Sequence, residues 1–140
     1  DAFSRMVIGY VLAPTLEAKY TIEALQQAIS HAGSGNLCGT IHHSDRGVQY
    51  CCDEYITLLK EQHIRISMTE DSNPTDNGMA ERVNGIIKNE FLEPLQTPKN
   101  LLEALPLVDH AVRTYNTLRP HLNLSMRTPA QVYEGKQIIL

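Results

Sequence analysis

The chain has 140 residues, 42% hydrophobic and 20% charged, enough apolar material for one soluble globular core. No apolar run approaches the roughly 20 residues that span a bilayer, and no basic-then-apolar leader opens the chain, so no membrane association is expected. A formal net charge of -4 argues against a nucleic-acid partner at face value. Its distribution softens that argument. Residues 61–98 carry seven acids against three bases, and residues 99–140 carry five bases against three acids. An acidic centre beside a mildly basic tail fits a cation site next to a surface for an anionic partner, and a solvated surface would read the same way.

In chain order, FSRMVIGYVLA (3–13) is mostly apolar without clean alternation, which predicts a strand buried on both faces. Residues 17–32 predict a helix, with Ile22, Leu25, Ile29 and Ala32 at helical spacing and glycines 33 and 35 closing it. LCGTIHH (37–43) predicts a short strand, CDEYITLLKEQ (52–62) a helix with Ile56 and Leu59 inward, and IRISM (64–68) another strand. This order predicts an α/β architecture with parallel pairing in its middle. TEDSNPTDNG (69–78) is dense in turn formers and predicts a mobile polar loop. A helix then resumes from Met79 to about Leu92, with Val83, Ile86, Ile87 and Phe91 on one side and Glu81, Asn84 and Lys88 on the other. Residues 99–116 predict an amphipathic helix with Leu102, Leu105, Val108, Val112 and Tyr115 inward. A short helix starting near Thr128-Pro129 follows.

The cysteines are Cys38, Cys51 and Cys52, an odd count with two sequence neighbours, which favours a reducing cytoplasm. Cys38, His42, His43 and Cys51 could be assembled into a zinc set, but no paired Cys-x-x-Cys or His-x3-His spacing supports it. The carboxylates are more informative. Asp45 follows a strand directly at its carboxyl end, where α/β sheets place ligands. Glu81 sits in the first turn of a helix, with 35 residues between it and Asp45. Each alone has a plain structural explanation. An Asp there is commonly a turn or cap residue, and a Glu in a first turn complements the helix dipole.

HSDRGVQY (43–50), DNGMAERVNGIIKNE (76–90) and their 35-residue interval together resemble the integrase-like, orfB-type transposases of bacterial insertion sequences, relatives of retroviral integrases. DAFSR (1–5), YNTLRPH (115–121) and TPAQVY (128–133) resemble further blocks of that family in the same order. The resemblance implies a ribonuclease-H-like fold, a mixed five-stranded sheet flanked by helices. It implies a DNA transposase of the DDE type, cleaving phosphodiesters and transferring strands with two divalent cations, Mg2+ or Mn2+. Asp45 and Glu81 would be its second and third catalytic carboxylates and metal ligands. Lys88 matches a lysine of the family that contacts the DNA backbone, and Asn77, Arg82, Asn84 and His43 are further candidate DNA contacts. Arg119 and His121 also match, with a structural role in tying down the C-terminal segment as the alternative.

The family's first catalytic aspartate precedes the DAFSR-like block, so it would lie outside this chain. Asp1 matches a different, non-catalytic position. Residues 1–140 are therefore expected to be a single, N-terminally truncated integrase core lacking its first strand. Such a chain would bind magnesium weakly, be inactive by itself and expose a sheet edge that favours a homodimer or higher oligomer. Its partners would be transposon ends and target DNA in a bacterial cytoplasm. One alternative is a catalytically inert, transposase-derived DNA-binding or assembly module. A glycosidase reading of Asp45 and Glu81 is disfavoured by the lack of tryptophan for sugar stacking.

Overall fold

The structure, a computed structural model, describes residues 1–33, 36–69, 78–93 and 98–137. The predicted loop 69–78 lies outside the described residues except for Thr69 and Gly78. Tertiary contacts divide the chain into two units, Ile8–Gly78 and Asp1–Val7 with Met79–Leu140.

In the unit Ile8–Gly78, helix α1 (Ala18–Ala32) precedes strand β1 (Ile41–Ser44), helices α2 (Val48–Cys51) and α3 (Asp53–Glu61), and strand β2 (Arg65–Met68). The strands pair in parallel, with Ile41 opposite Arg65 and Ser44 opposite Met68. The helical spacing read in α1 is realised: Ile22 and Leu25 are buried against Tyr55, Leu59 and Ile64, and Ile29 packs at the margin. In α3 the most buried positions are Tyr55 and Leu59, while the predicted Ile56 is only half-buried.

Helix α3 ends in a Schellman closure. His63, in the left-handed region at φ 54°, donates its N–H to the Lys60 carbonyl at 2.9 Å. The Ile64 N–H reaches the Leu59 carbonyl at 2.9 Å, and those two side chains meet in the core. The turn therefore sets where β2 begins.

The predicted strand 3–13 does not form, and the sheet among the described residues has two parallel strands instead of a mixed five. A strand needs a ladder partner, and here side chains take the backbone groups instead. In this unit the Tyr10 N–H donates to Gln27 Oε1 at 3.2 Å. Gly9 lies so close to α1 that a Cβ there would stand 2.1 Å from the Ala24 carbonyl oxygen.

In the other unit the Val7 N–H donates to Asn116 Oδ1 at 3.0 Å, and Asn116 Nδ2 donates back to the Val7 carbonyl at 2.8 Å. Helix α4 (Gly78–Ile86) runs into a π-helical segment (Ile87–Leu92), closed by the Glu93 N–H on the Lys88 carbonyl at 2.8 Å. Val83, Ile86, Ile87 and Phe91 are half-buried, as their spacing predicted. The i+7 step from Glu81 to Lys88 does not stay within uniform α-helix, because it enters this wider segment at Ile87.

Helix α5 (Leu101–Thr117) starts at Asn100, whose side chain accepts the Glu103 N–H at 3.0 Å. Its buried residues are Ala111, Val112, Tyr115 and Asn116. The predicted inward Leu102 is 81% exposed and Leu105 is also exposed. Pro106 divides the two halves, since it cannot donate to the Leu102 carbonyl. After a 3-10 turn (Leu122–Leu124), helix α6 (Pro129–Gln137) opens with a reciprocal capping box. The Gln131 N–H donates to Thr128 Oγ1 at 3.3 Å, and the Thr128 N–H to Gln131 Oε1 at 3.0 Å.

His63 occupies a position where a non-glycine residue costs about 1–2 kcal/mol, partly offset by the greater freedom of an unfolded glycine. His63→Gly should therefore stabilise the protein by about 0.5–1 kcal/mol in urea denaturation. A lower urea midpoint would show instead that the histidine ring contributes packing there.

Candidate active site

Asp45 is the first residue past β1 and its side chain is exposed. Its Oδ1 accepts the Gly47 N–H at 2.9 Å, an Asx turn that sets the path into α2. The other carboxylate oxygen makes no hydrogen bond among the described residues, so turn formation leaves Asp45 a free hard-oxygen ligand. Arg46 points the other way, donating from Nε to the Thr69 carbonyl at 2.8 Å and joining this turn to the end of β2. His43 stands opposite Ser67, and its Nδ1 pairs with Ser67 Oγ at 2.9 Å, which leaves Nε2 as its outward nitrogen.

Behind the turn, His42 packs edge-on to Tyr55 with ring centroids 5.5 Å apart, and its Nε2 pairs with the Tyr55 hydroxyl at 2.9 Å. Burial pushes the His42 pKa down, which favours the neutral ring, and pushes the Tyr55 phenol up. The Tyr50 phenol is pushed up by burial first and by the Asp45 charge second. His42, Tyr50 and Tyr55 thus form an aromatic cluster in this unit.

In the other unit, Glu81 lies in the first turn of α4, exposed, with no hydrogen bond or ion pair among the described residues. Arg82, Asn84 and Lys88 are likewise exposed on this helix and its π-helical continuation. Asn77 lies outside the described residues. Asp45 and Glu81 fall in different units. Among the described residues no cluster of three or more His, Cys, Asp or Glu could hold a metal, so the zinc set does not assemble.

Sequence reasoning missed the ion pair between Glu90 and Arg119. Arg119 Nε lies 2.6 Å from Glu90 Oε2 and Nη2 lies 2.7 Å from Oε1, a two-pronged contact between the π-helical segment and the stretch after α5. YNTLRPH marked Arg119, but nothing local marked Glu90. Asp1, left without a metal role, accepts the Ser4 N–H at 2.8 Å and the Ser4 hydroxyl at 2.6 Å.

Known proteins of one class share this chain's sequence and fold. Residues 1–74 and residues 62–129 each match a family profile described as Integrase core domain. The chain belongs to the integrase core domain family. It is 30% identical over 131 residues to the transposase for insertion sequence element IS629 of Shigella sonnei, covering 94% of this chain and 43% of that protein. It is 28% identical to the transposase of insertion sequence IS3A of Escherichia coli (strain K12), covering 99% and 47%. The HTLV-2 integrase catalytic core domain, solved in complex with magnesium in a dimeric form, superposes with a TM-score of 0.70 at 28% identity, over 95% of this chain and 79% of that one. The BIV integrase catalytic core shares the fold, with a TM-score of 0.67 at 21% identity, over 96% and 81%. The fold is thus ribonuclease-H-like, as the sequence motifs implied. The chain spans less than half the length of these two curated relatives, 43% and 47%.

Two substitutions separate the roles of Asp45. Asp45→Asn keeps an oxygen for the Gly47 N–H, so stability should change by less than about 0.5 kcal/mol. Asp45→Ala removes the acceptor and should lose about 0.5–1.5 kcal/mol in denaturant titration. Equal stability for both variants would show that the Asx turn contributes nothing.

Arg119 holds the Glu90 carboxyl below the usual carboxylate range. A depressed folded-state pKa gives stability present above the unfolded value near 4.3 and lost as pH falls through the folded value. Glu90 is 46% exposed, so the pair should contribute no more than about 1 kcal/mol. The acid limb of stability against pH should flatten in Glu90→Gln, and an unchanged limb would assign the acid sensitivity elsewhere.

Proposed function

We propose that residues 1–140 form an integrase-type catalytic core of a DDE DNA transposase, acting in metal-dependent cleavage of phosphodiesters and strand transfer. Family membership along the chain and the free, exposed carboxylate oxygen of Asp45 at the end of β1 support this reading. Asp45 and Glu81 are the proposed catalytic carboxylates and metal ligands. Both are solvent-open and offer hard oxygens, the donor type that Mg2+ or Mn2+ requires, so they fit such ions. Two such ions, when bound, would activate an oxygen nucleophile and neutralise the leaving oxygen in line across phosphorus.

The remaining roles fall to side chains of the chain itself. Lys88, Arg82 and Asn84 offer donors to a DNA backbone from the helix that bears Glu81, and Asn77 is proposed as a further contact. The outward Nε2 of His43, next to the Asp45 turn, is a donor or acceptor for a substrate phosphate. DNA, as transposon ends and target, is the proposed partner, and self-association is proposed as in the dimeric HTLV-2 core. Among the described residues no helix is long and apolar enough to cross a membrane.

Isothermal titration of the chain with Mn2+ and Mg2+ tests the metal assignment. Weak binding should be seen, reduced at least about tenfold by Asp45→Asn and by Glu81→Gln. Unaltered binding in both variants would overturn the assignment and leave an inert DNA-binding or assembly module as the better account.

A further inference from the structure

Along β1 exposure alternates. Ile41 and His43 are exposed, His42 is half-buried, Ser44 is buried, and Asp45 returns to the surface. His43 and Asp45 therefore open onto the same side of the strand end, two residues apart. Beside them Ser67 of β2 is half-buried and stands opposite His43 in the parallel register. That register is pinned past the ends of both strands. The Thr69 N–H donates to the Ser44 carbonyl at 3.1 Å, and Arg46 Nε donates to the Thr69 carbonyl at 2.8 Å. The two strands cannot slip, so the 2.9 Å contact between Ser67 Oγ and His43 Nδ1 is built into the fold.

A neutral imidazole carries one ring proton, and the partner of one nitrogen decides the role of the other. When the Ser67 hydroxyl donates to Nδ1, the proton sits on Nε2, which faces outward as a donor. When Nδ1 keeps the proton and donates to Ser67, Nε2 is left as an acceptor. A phosphodiester oxygen only accepts, so the two arrangements are not equivalent toward a nucleic-acid backbone. The first binds that oxygen, and the second sets a lone pair against it. Serine suits the first arrangement, since its hydroxyl has a proton to give and makes no other hydrogen bond among the described residues.

We propose that Ser67 is a positioning residue that holds His43 as the Nε2–H tautomer, a hydrogen-bond donor to a phosphate oxygen beside the Asp45 turn. The inference rests on the reading of the chain as a DNA-acting core. It adds to that reading a second residue, contributed by the neighbouring strand, and a defined place for one proton.

Two measurements test it. Nitrogen NMR of isotope-labelled histidine should find the proton of the neutral His43 ring on Nε2 in the unmutated chain. Ser67→Ala should let the Nδ1–H form appear beside it. A proton held mainly on Nδ1 in the unmutated chain, or an unchanged ring in Ser67→Ala, would overturn the proposal. Binding of a short duplex of arbitrary sequence is the second measurement. Ser67→Ala should weaken it about two- to tenfold, the effect of one hydrogen bond. Ser67→Thr keeps the hydroxyl and suits a strand, so it should restore the affinity. In a His43→Ala background the Ser67→Ala change should have no effect, because it acts through the ring.

An equal loss in both backgrounds would overturn the positioning role and leave the DNA-acting reading standing. Unchanged affinity in Ser67→Ala, with the duplex still bound, would do the same. Failure of the unmutated chain to bind DNA would overturn that reading and this inference with it. The tautomer of the unmutated chain needs neither a substitution nor DNA, so it tests the proposal even if a variant folds poorly.

Discussion

The amide of Asn116 does for the start of the chain what a neighbouring strand would do. It accepts the Val7 N–H and donates to the Val7 carbonyl, satisfying both backbone groups of one residue from a single buried side chain. An unpaired buried amide costs about 1–3 kcal/mol, so Asn116 must keep both bonds once α5 packs. Tyr115, its neighbour, takes the Arg5 carbonyl in the same way. Two adjacent residues on one helix therefore fix the backbone of residues 5 and 7, and the fully buried Ser4 follows from that. The left-handed Arg5 is tolerated because its flanks have no freedom to relax.

That substitution of side chains for a ladder explains where the sequence was a good guide and where it misled. Helix α1 was legible because a 3.6-residue period needs only local geometry and one apolar partner surface. The start of α6 was legible because Thr128, Pro129 and Gln131 carry their capping chemistry within four residues. The run 3–13 has strand composition, but composition cannot report whether a pairing strand exists. Its backbone groups found Gln27 and Asn116 instead, at separations of 17 and 109 residues. The outward Leu102 has a similar origin. Apolar spacing in α5 continues through Pro106, but burial does not, because burial depends on what lies opposite each half of the helix.

The candidate site divides along the same line. Asp45 was legible as a turn residue at a strand end, and its proposed ligand role rests on the carboxylate oxygen that the turn leaves free. The two are compatible: a carboxylate has two oxygens, and the turn occupies only one. An Asn could form the turn, and a Glu has one methylene too many to form it with the same geometry. Aspartate is the residue that would satisfy the turn and the proposed ligand role at once. His43 was half legible. Its place beside Asp45 was evident, but the Ser67 hydroxyl that orients its ring comes from β2, and only the strand register brings it there.

The Glu90–Arg119 pair was not legible, for a reason that bears on how the unit works. Its partners are 29 residues apart, and the two elements carrying them meet only because the π-helical segment packs on α5. An α-helix that widens at Ile87 changes the direction in which residue 90 leaves the axis, so a straight 3.6-residue count misplaces Glu90. The wide turn and the ion pair then support each other. The turn carries the carboxylate, and the fork of Arg119 needs both oxygens in one plane to bind with two bonds. A lysine at 119 would bring one ammonium point charge to Glu90 and could not hold the carboxylate plane. Arg119 also reaches the His121 ring with its remaining nitrogen, so a single guanidinium orients an acid, an imidazole and a helix end together.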